Sequence, residues 1–214
     1  MNTSQLCKAA IAAATLGAIL PVSALSVYEL NNGGSAFSGL ASWGTVSFVQ
    51  DGTDVDFTVT LAAGFDFVQT GNQNSKAAFT FNATGVALGD IQSIVMAGGG
   101  TYAAWAPGSN SPFGDFTFGL HCTNCSNGAG GAKADPLTFT VVNALEADFK
   151  FLSTGGTNAF FAADIYGPSG GEGNATGSVG ATGVVPGIPE PETYALMIAG
   201  LGAVGFMARR RRQV

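Results

Sequence analysis

Asp54-Val55-Asp56-Phe57-Thr58-Val59-Thr60-Leu61 alternates without a fault: Val55, Phe57, Val59 and Leu61 fall on one parity, Asp54, Asp56, Thr58 and Thr60 on the other. A strict period of two describes a strand with one buried and one wet face. The same alternation recurs at Val46/Phe48, Phe79/Phe81, Phe116/Phe118/Leu120, Leu137/Phe139/Val141, Phe149/Phe151 and Phe161/Ala163/Ile165. Asp51-Gly52, Gly71-Asn72, Gly98-Gly99-Gly100, Pro107-Gly108, Asn127-Gly128 and Gly155-Gly156 punctuate these runs with turn chemistry. No helical period of useful length interrupts them. About eight to ten short strands predict an all-β fold, a two-sheet sandwich with the jelly roll as one form of it. Fifteen of the sixteen phenylalanines lie in this region, and the repeated Phe-x-Phe spacing reads as core packing.

Outward from this body the composition changes. At the start, Lys8 precedes the apolar run Ala9 to Leu20, then Pro21 and the small-residue exit Val22-Ser23-Ala24. A cation, a short apolar stretch and a small-x-small exit make a secretory signal peptide over residues 1–24, cut after Ala24. The mature ectodomain then spans 25–166. From Gly167 the alternation stops: eight of the 22 residues to Ile188 are glycine, and residues 167–187 read as a last loop and flexible linker.

Charge narrows the partners. The whole chain of 214 residues carries a formal −6, and residues 25–188 hold twelve acids against three bases. Such a surface stays soluble and is not drawn to nucleic acid, whose phosphates need a basic face.

The remaining chemistry is sparse. Cys122-Thr123-Asn124-Cys125 follows a predicted strand and His121; with Cys7 in the signal peptide, the mature chain keeps an even pair. In an exported protein that favours a disulfide. Zinc would want four ligands, a redox role would want a helix start after a strand, and haem attachment a histidine where Ser126 stands. Asp51, Asp54 and Asp56 are close enough to hold calcium through oxygen ligands, with Asp66, Asn72 or Asn74 as completing groups. The plainer reading is a hairpin turn running into the wet face of a strand. No Gly-x-Ser-x-Gly elbow precedes a helix, no nucleotide loop stands in a strand-to-helix setting, no carboxylate sits in a recognisable catalytic motif, and His121 is the sole imidazole, so no catalytic residue is assigned and an enzyme is not expected. Trp43, Tyr102 and Trp105 are the aromatics that could stack on a sugar ring.

Beyond the linker stand Pro189-Glu190-Pro191, the uncharged stretch Tyr194 to Ala208, and Arg209-Arg210-Arg211-Arg212. Two prolines around one residue hold the backbone extended. An apolar helix over about 193–208 followed by cations reads as a membrane anchor whose arginines stay in the cytoplasm. At ~1.5 Å per residue the uncharged stretch covers only ~22 Å of a ~30 Å hydrocarbon core, so the arginine stems must snorkel or the bilayer thin.

Residues 188–212 resemble the PEP-CTERM sorting segment, also catalogued as an ice-binding protein C-terminal domain. The resemblance implies a route: export through the Sec machinery, retention in the inner membrane by the tail, and processing near Pro189-Glu190-Pro191 by a membrane-embedded exosortase. The destination it implies is the cell surface or an exopolysaccharide matrix. More loosely, Gly44-Thr45-Val46, Cys122 to Cys125 and Phe160 to Ile165 are similar to all-β domains carried by secreted proteins with this tail. Two functions of different class follow as expectations: a non-enzymatic structural or adhesive surface protein, and a lectin-like polysaccharide-binding module bridged by calcium.

Overall fold

The computed structural model describes residues 25–71, 77–169, 173–183 and 200–201. The signal peptide with Ala24, the Pro189-Glu190-Pro191 motif and Arg209 to Arg212 lie outside the described residues, as does the apolar helix except for Gly200 and Leu201, which are helical. Among the described residues no helix is long and apolar enough to cross a membrane.

The stretch that decides the fold is strand β3 (Asp54–Leu61), the centre of a five-stranded antiparallel sheet. Its neighbours are β2 (Gly44–Asp51), then β1 (Leu25–Glu29) at one edge, and β11 (Leu137–Val141), then β6 (Ile91–Met96) at the other. The facing sheet runs β13 (Asn174–Ala181), β12 (Phe161–Pro168), β5 (Phe79–Phe81), β10 (Phe118–Cys122), β7 (Tyr102–Trp105), with the two-residue β4 (Asp66–Phe67) also on β12. A small hairpin pairs β8 (Gly108–Asn110) with β9 (Gly114–Phe116).

The all-β expectation holds, with two principal antiparallel sheets and the two-stranded β8–β9 sheet beside them. The meander β1-β2-β3 within one sheet departs from a jelly roll, in which chain-consecutive strands alternate between sheets.

The register explains the alternation. Phe57 lies opposite Phe48 on β2 and Phe139 on β11, so one aromatic row crosses three strands. Its ring stacks on Phe139 at 4.6 Å and on Phe48 at 4.8 Å. The other sheet supplies Phe79, Phe81 and Phe161; Phe81 meets Phe139 at 5.3 Å, and Phe57 and Phe161 face each other at 6.4 Å. Offset and edge-on pairs of this kind add about 0.5–1.5 kcal/mol each beyond area burial. The phenylalanine repeat is thus the sandwich core.

Two readings of the pattern are corrected. Phe149 and Phe151 do not share a strand: Glu146–Phe149 is a 3-10 turn that buries Phe149 completely, while Phe151 is exposed. The turn is closed by its own carboxylate, with the Leu145 N–H donating to Asp148 Oδ2 at 2.8 Å. The linker expected over 167–187 begins too early, because β13 occupies 174–181 and pairs with all of β12. Its glycines are there for close packing. A Cβ on Gly177 would sit 2.4 Å from that of Ala36, and one on Gly180 2.5 Å from the Phe113 ring.

That Phe113 contact belongs to a second, smaller cluster of Phe113, Phe116, Ala159 and Ala162. It forms where the β8–β9 hairpin folds over the outer side of the six-stranded sheet. Buried Asn110 fixes the hairpin: its amide donates to the Ala77 carbonyl at 3.2 Å, and its carbonyl accepts from the Ser178 hydroxyl.

Candidate functional site

Among the described residues, the hairpin covers the outer side of the six-stranded sheet and leaves the outer face of the five-stranded sheet uncovered. Registry sets its composition. One row reads Val27, Ser47, Thr58, Thr138, Val95 across all five strands, and the next places Glu29 beside Thr45 and Thr60. Thr58 and Thr60 are exposed, and Ser47, Thr45 and Thr138 half-buried. The wet parity of the opening stretch therefore builds rows of hydroxyls, with Asp54, Asp56 and Glu29 among them and the exposed Val95 at one edge.

The three aspartates lie at one corner of this face but do not converge. Asp51 and Asp54 pair across the β2–β3 hairpin, whose turn uses Gly52 at a φ of 61°. Asp54 Oδ1 accepts from the Asn143 N–H at 3.1 Å and from the Thr53 hydroxyl at 3.1 Å. Asp56 Oδ1 accepts from the Thr140 hydroxyl at 2.6 Å. Each of these two carboxylates is spent on a neighbouring strand or loop. Among the described residues no group of three or more His, Cys, Asp or Glu side chains is placed to hold a metal ion. Asp66 sits in the opposite sheet on β4, and Asn72 and Asn74 lie outside the described residues. Beside the hairpin, Gly52, Thr53, Asn143, Ala144 and Leu145 line a shallow depression of about 270 Å³.

At the far edge of the other sheet, Cys122 and Cys125 form the disulfide expected from their even count. It fastens edge strand β7. The Thr101 N–H donates to Asn124 Oδ1 at 2.8 Å, and the Thr123 N–H and hydroxyl both donate to the Thr101 carbonyl, at 2.7 and 3.0 Å. Gly100 faces the bridge so closely that a Cβ would lie 3.0–3.1 Å from both sulfurs.

The candidate sugar-stacking aromatics separate. Trp43 is buried in the core, Tyr102 is half-buried against it, and Trp105 remains 39% exposed on β7. Burial pushes the Tyr102 hydroxyl up to about 12. Trp105 stands edge-on to His121, ring centres 6.4 Å apart.

His121 itself is buried, and neither ring nitrogen has a hydrogen-bond partner. Loss of hydration holds its pKa below the ordinary value of 6.5. The side chain is a neutral occupant of the sheet face beside Gly119. Sequence reasoning missed the buried Asp164 on β12, whose Oδ2 accepts from the Thr70 N–H at 2.7 Å and the Thr70 hydroxyl at 2.6 Å. Nothing in its local pattern separates it from a wet-face aspartate.

The family model described as the PEP-CTERM protein-sorting motif matches residues 187–212. The chain carries a PEP-CTERM sorting motif. The motif begins four residues after Gly183, the last residue described next to β13. The motif implies export, membrane anchoring for sorting and processing by an exosortase. No curated protein and no solved structure matches the chain.

Proposed function

We propose that this chain is a cell-surface or matrix component whose sandwich acts as a non-enzymatic structural or adhesive body, released or retained through its PEP-CTERM tail. The observation that carries the reading is the sorting motif at residues 187–212 behind a β domain with an uncovered hydroxyl-rich face. Hydroxyl rows on a sheet face exchange hydrogen bonds with a hydrated polysaccharide at little desolvation cost, which suits many weak contacts. The acidic ectodomain stays soluble at high local concentration. The sole imidazole is buried, and Asp54 and Asp56 are engaged by the fold, which supports a reading without catalysis.

The test is a deletion strain scored for matrix mass and cell aggregation, complemented with the wild type and with a Thr58→Lys/Thr60→Lys variant. Loss of matrix mass, restored by the wild type and not by the variant at equal export, is expected. A deletion strain with unchanged matrix mass and aggregation defeats the reading.

The exposed Trp105 on an edge strand favours a second reading, a lectin-like module. It requires glycan-array binding that Trp105→Ala abolishes. Since Asp54 and Asp56 serve neighbouring strands, that binding should survive a chelator.

A further inference from the structure

Two sequences in this chain match the asparagine glycosylation pattern, Asn82-Ala83-Thr84 and Asn174-Ala175-Thr176. The fold treats them in opposite ways. Asn82 is 8% exposed; its amide donates to the Phe151 carbonyl at 3.3 Å, and its carbonyl accepts from the Thr117 N–H and hydroxyl at 2.8 and 3.1 Å. A glycan there would have to displace three hydrogen bonds and open the loop beneath Phe151. Asn174 opens edge strand β13, and Asn174 and Thr176 are both exposed. Two residues apart on a strand, they share a face, so acceptor amide and hydroxyl point the same way. The amide nitrogen makes one exposed hydrogen bond, to the Tyr166 hydroxyl at 3.2 Å.

We infer that Asn174 is an N-glycosylation site and Asn82 is not. The inference rests on the export reading, since donor and transferase work on the outer side of the membrane. The carboxamide nitrogen of Asn174 attacks C1 of the reducing-end sugar of a polyprenyl-pyrophosphate-linked oligosaccharide. The N–C1 bond forms, the C1–O bond to pyrophosphate breaks, the nitrogen gives up one proton, and polyprenyl pyrophosphate leaves. No oxidation occurs. The Thr176 hydroxyl orients the amide in the transferase.

The experiment expresses the full-length chain in a bacterium carrying an oligosaccharyltransferase and an undecaprenyl-pyrophosphate-linked oligosaccharide. Peptide mass spectrometry then reads both sites and the N-terminus. The expected result is one glycan on the Asn174 peptide and none on the Asn82 peptide. Asn174→Gln and Thr176→Ala should remove it, and Thr176→Ser should keep it. Chain whose N-terminus is processed but whose Asn174 is bare overturns the inference while sparing export. Equal occupancy at Asn82 overturns the selection by the fold. Chain retained with its N-terminus intact overturns both the inference and the export reading.

Discussion

His121 shows what a single side chain can cost. Burial without a hydrogen-bond partner favours the neutral ring, so its folded pKa lies below the unfolded value of 6.5. Between those two values the unfolded chain holds a proton that the folded chain lacks. Stability is therefore complete above 6.5 and falls as pH drops through the folded pKa. Thermal melts of wild type and His121→Phe from pH 8 to pH 4 check this: the variant should lose part of the acid-side decline, and parallel curves would refute it. Gly180 makes the complementary point about volume. A methyl there would meet three Phe113 ring carbons at 2.5–2.8 Å, and Phe113 is fully buried. Gly180→Ala should cost about 1–3 kcal/mol by overpacking, read from the urea midpoint. A neutral substitution would mean that the hairpin over the sheet gives way freely.

Elements here are held by short local devices. Strand β7 is an edge, paired on one side to β10 and fastened by the Cys122–Cys125 ring and the Thr101 bonds. Replacing both cysteines by serine should cost about 2 kcal/mol for so short a ring. The loss should concentrate in β7. Amide exchange at Thr101 to Trp105 should accelerate far more than at Val55 to Leu61, and uniform acceleration would show that the bridge supports the whole domain instead. The turn at Glu146–Phe149 explains why Phe149/Phe151 reads as a strand and is not one. Two phenylalanines at period two satisfy the strand template, but the Asp148 carboxylate returns to the Leu145 N–H and bends the chain before a strand can pair. Glu146 also accepts from the Ser26 hydroxyl at 3.1 Å, tying this turn to β1.

For the whole molecule, the decisive element is the one with the weakest signal. Strand β13 reads as Asn-Ala-Thr-Gly-Ser-Val-Gly-Ala, with Val179 its only large apolar side chain. Yet it pairs with β12 along eight residues, and Gly180 exchanges both backbone hydrogen bonds with Asn32. A chain ending after Pro168 should fail to fold, and one ending after Gly183 should fold as the intact ectodomain does. Near-ultraviolet circular dichroism and amide dispersion distinguish the two. A native spectrum from the shorter chain would restore the view that the strand is a spacer.

The alternation at Asp54–Leu61 and its phenylalanine-rich counterparts established by itself an all-β body with an aromatic core, because side-chain direction on a strand follows residue parity. The sorting segment was equally legible, since Pro-Glu-Pro, an apolar run and arginines act through local chemistry. Tertiary structure alone decided that β13 is a strand, that Trp43 is core, that Asp54 and Asp56 serve neighbouring strands, and that Asn82 is sealed while Asn174 is open. Each of those outcomes depends on what packs against a residue from a distant part of the chain. Small side chains such as those of β13 carry little periodic signal of their own, so only their neighbours reveal why they are small.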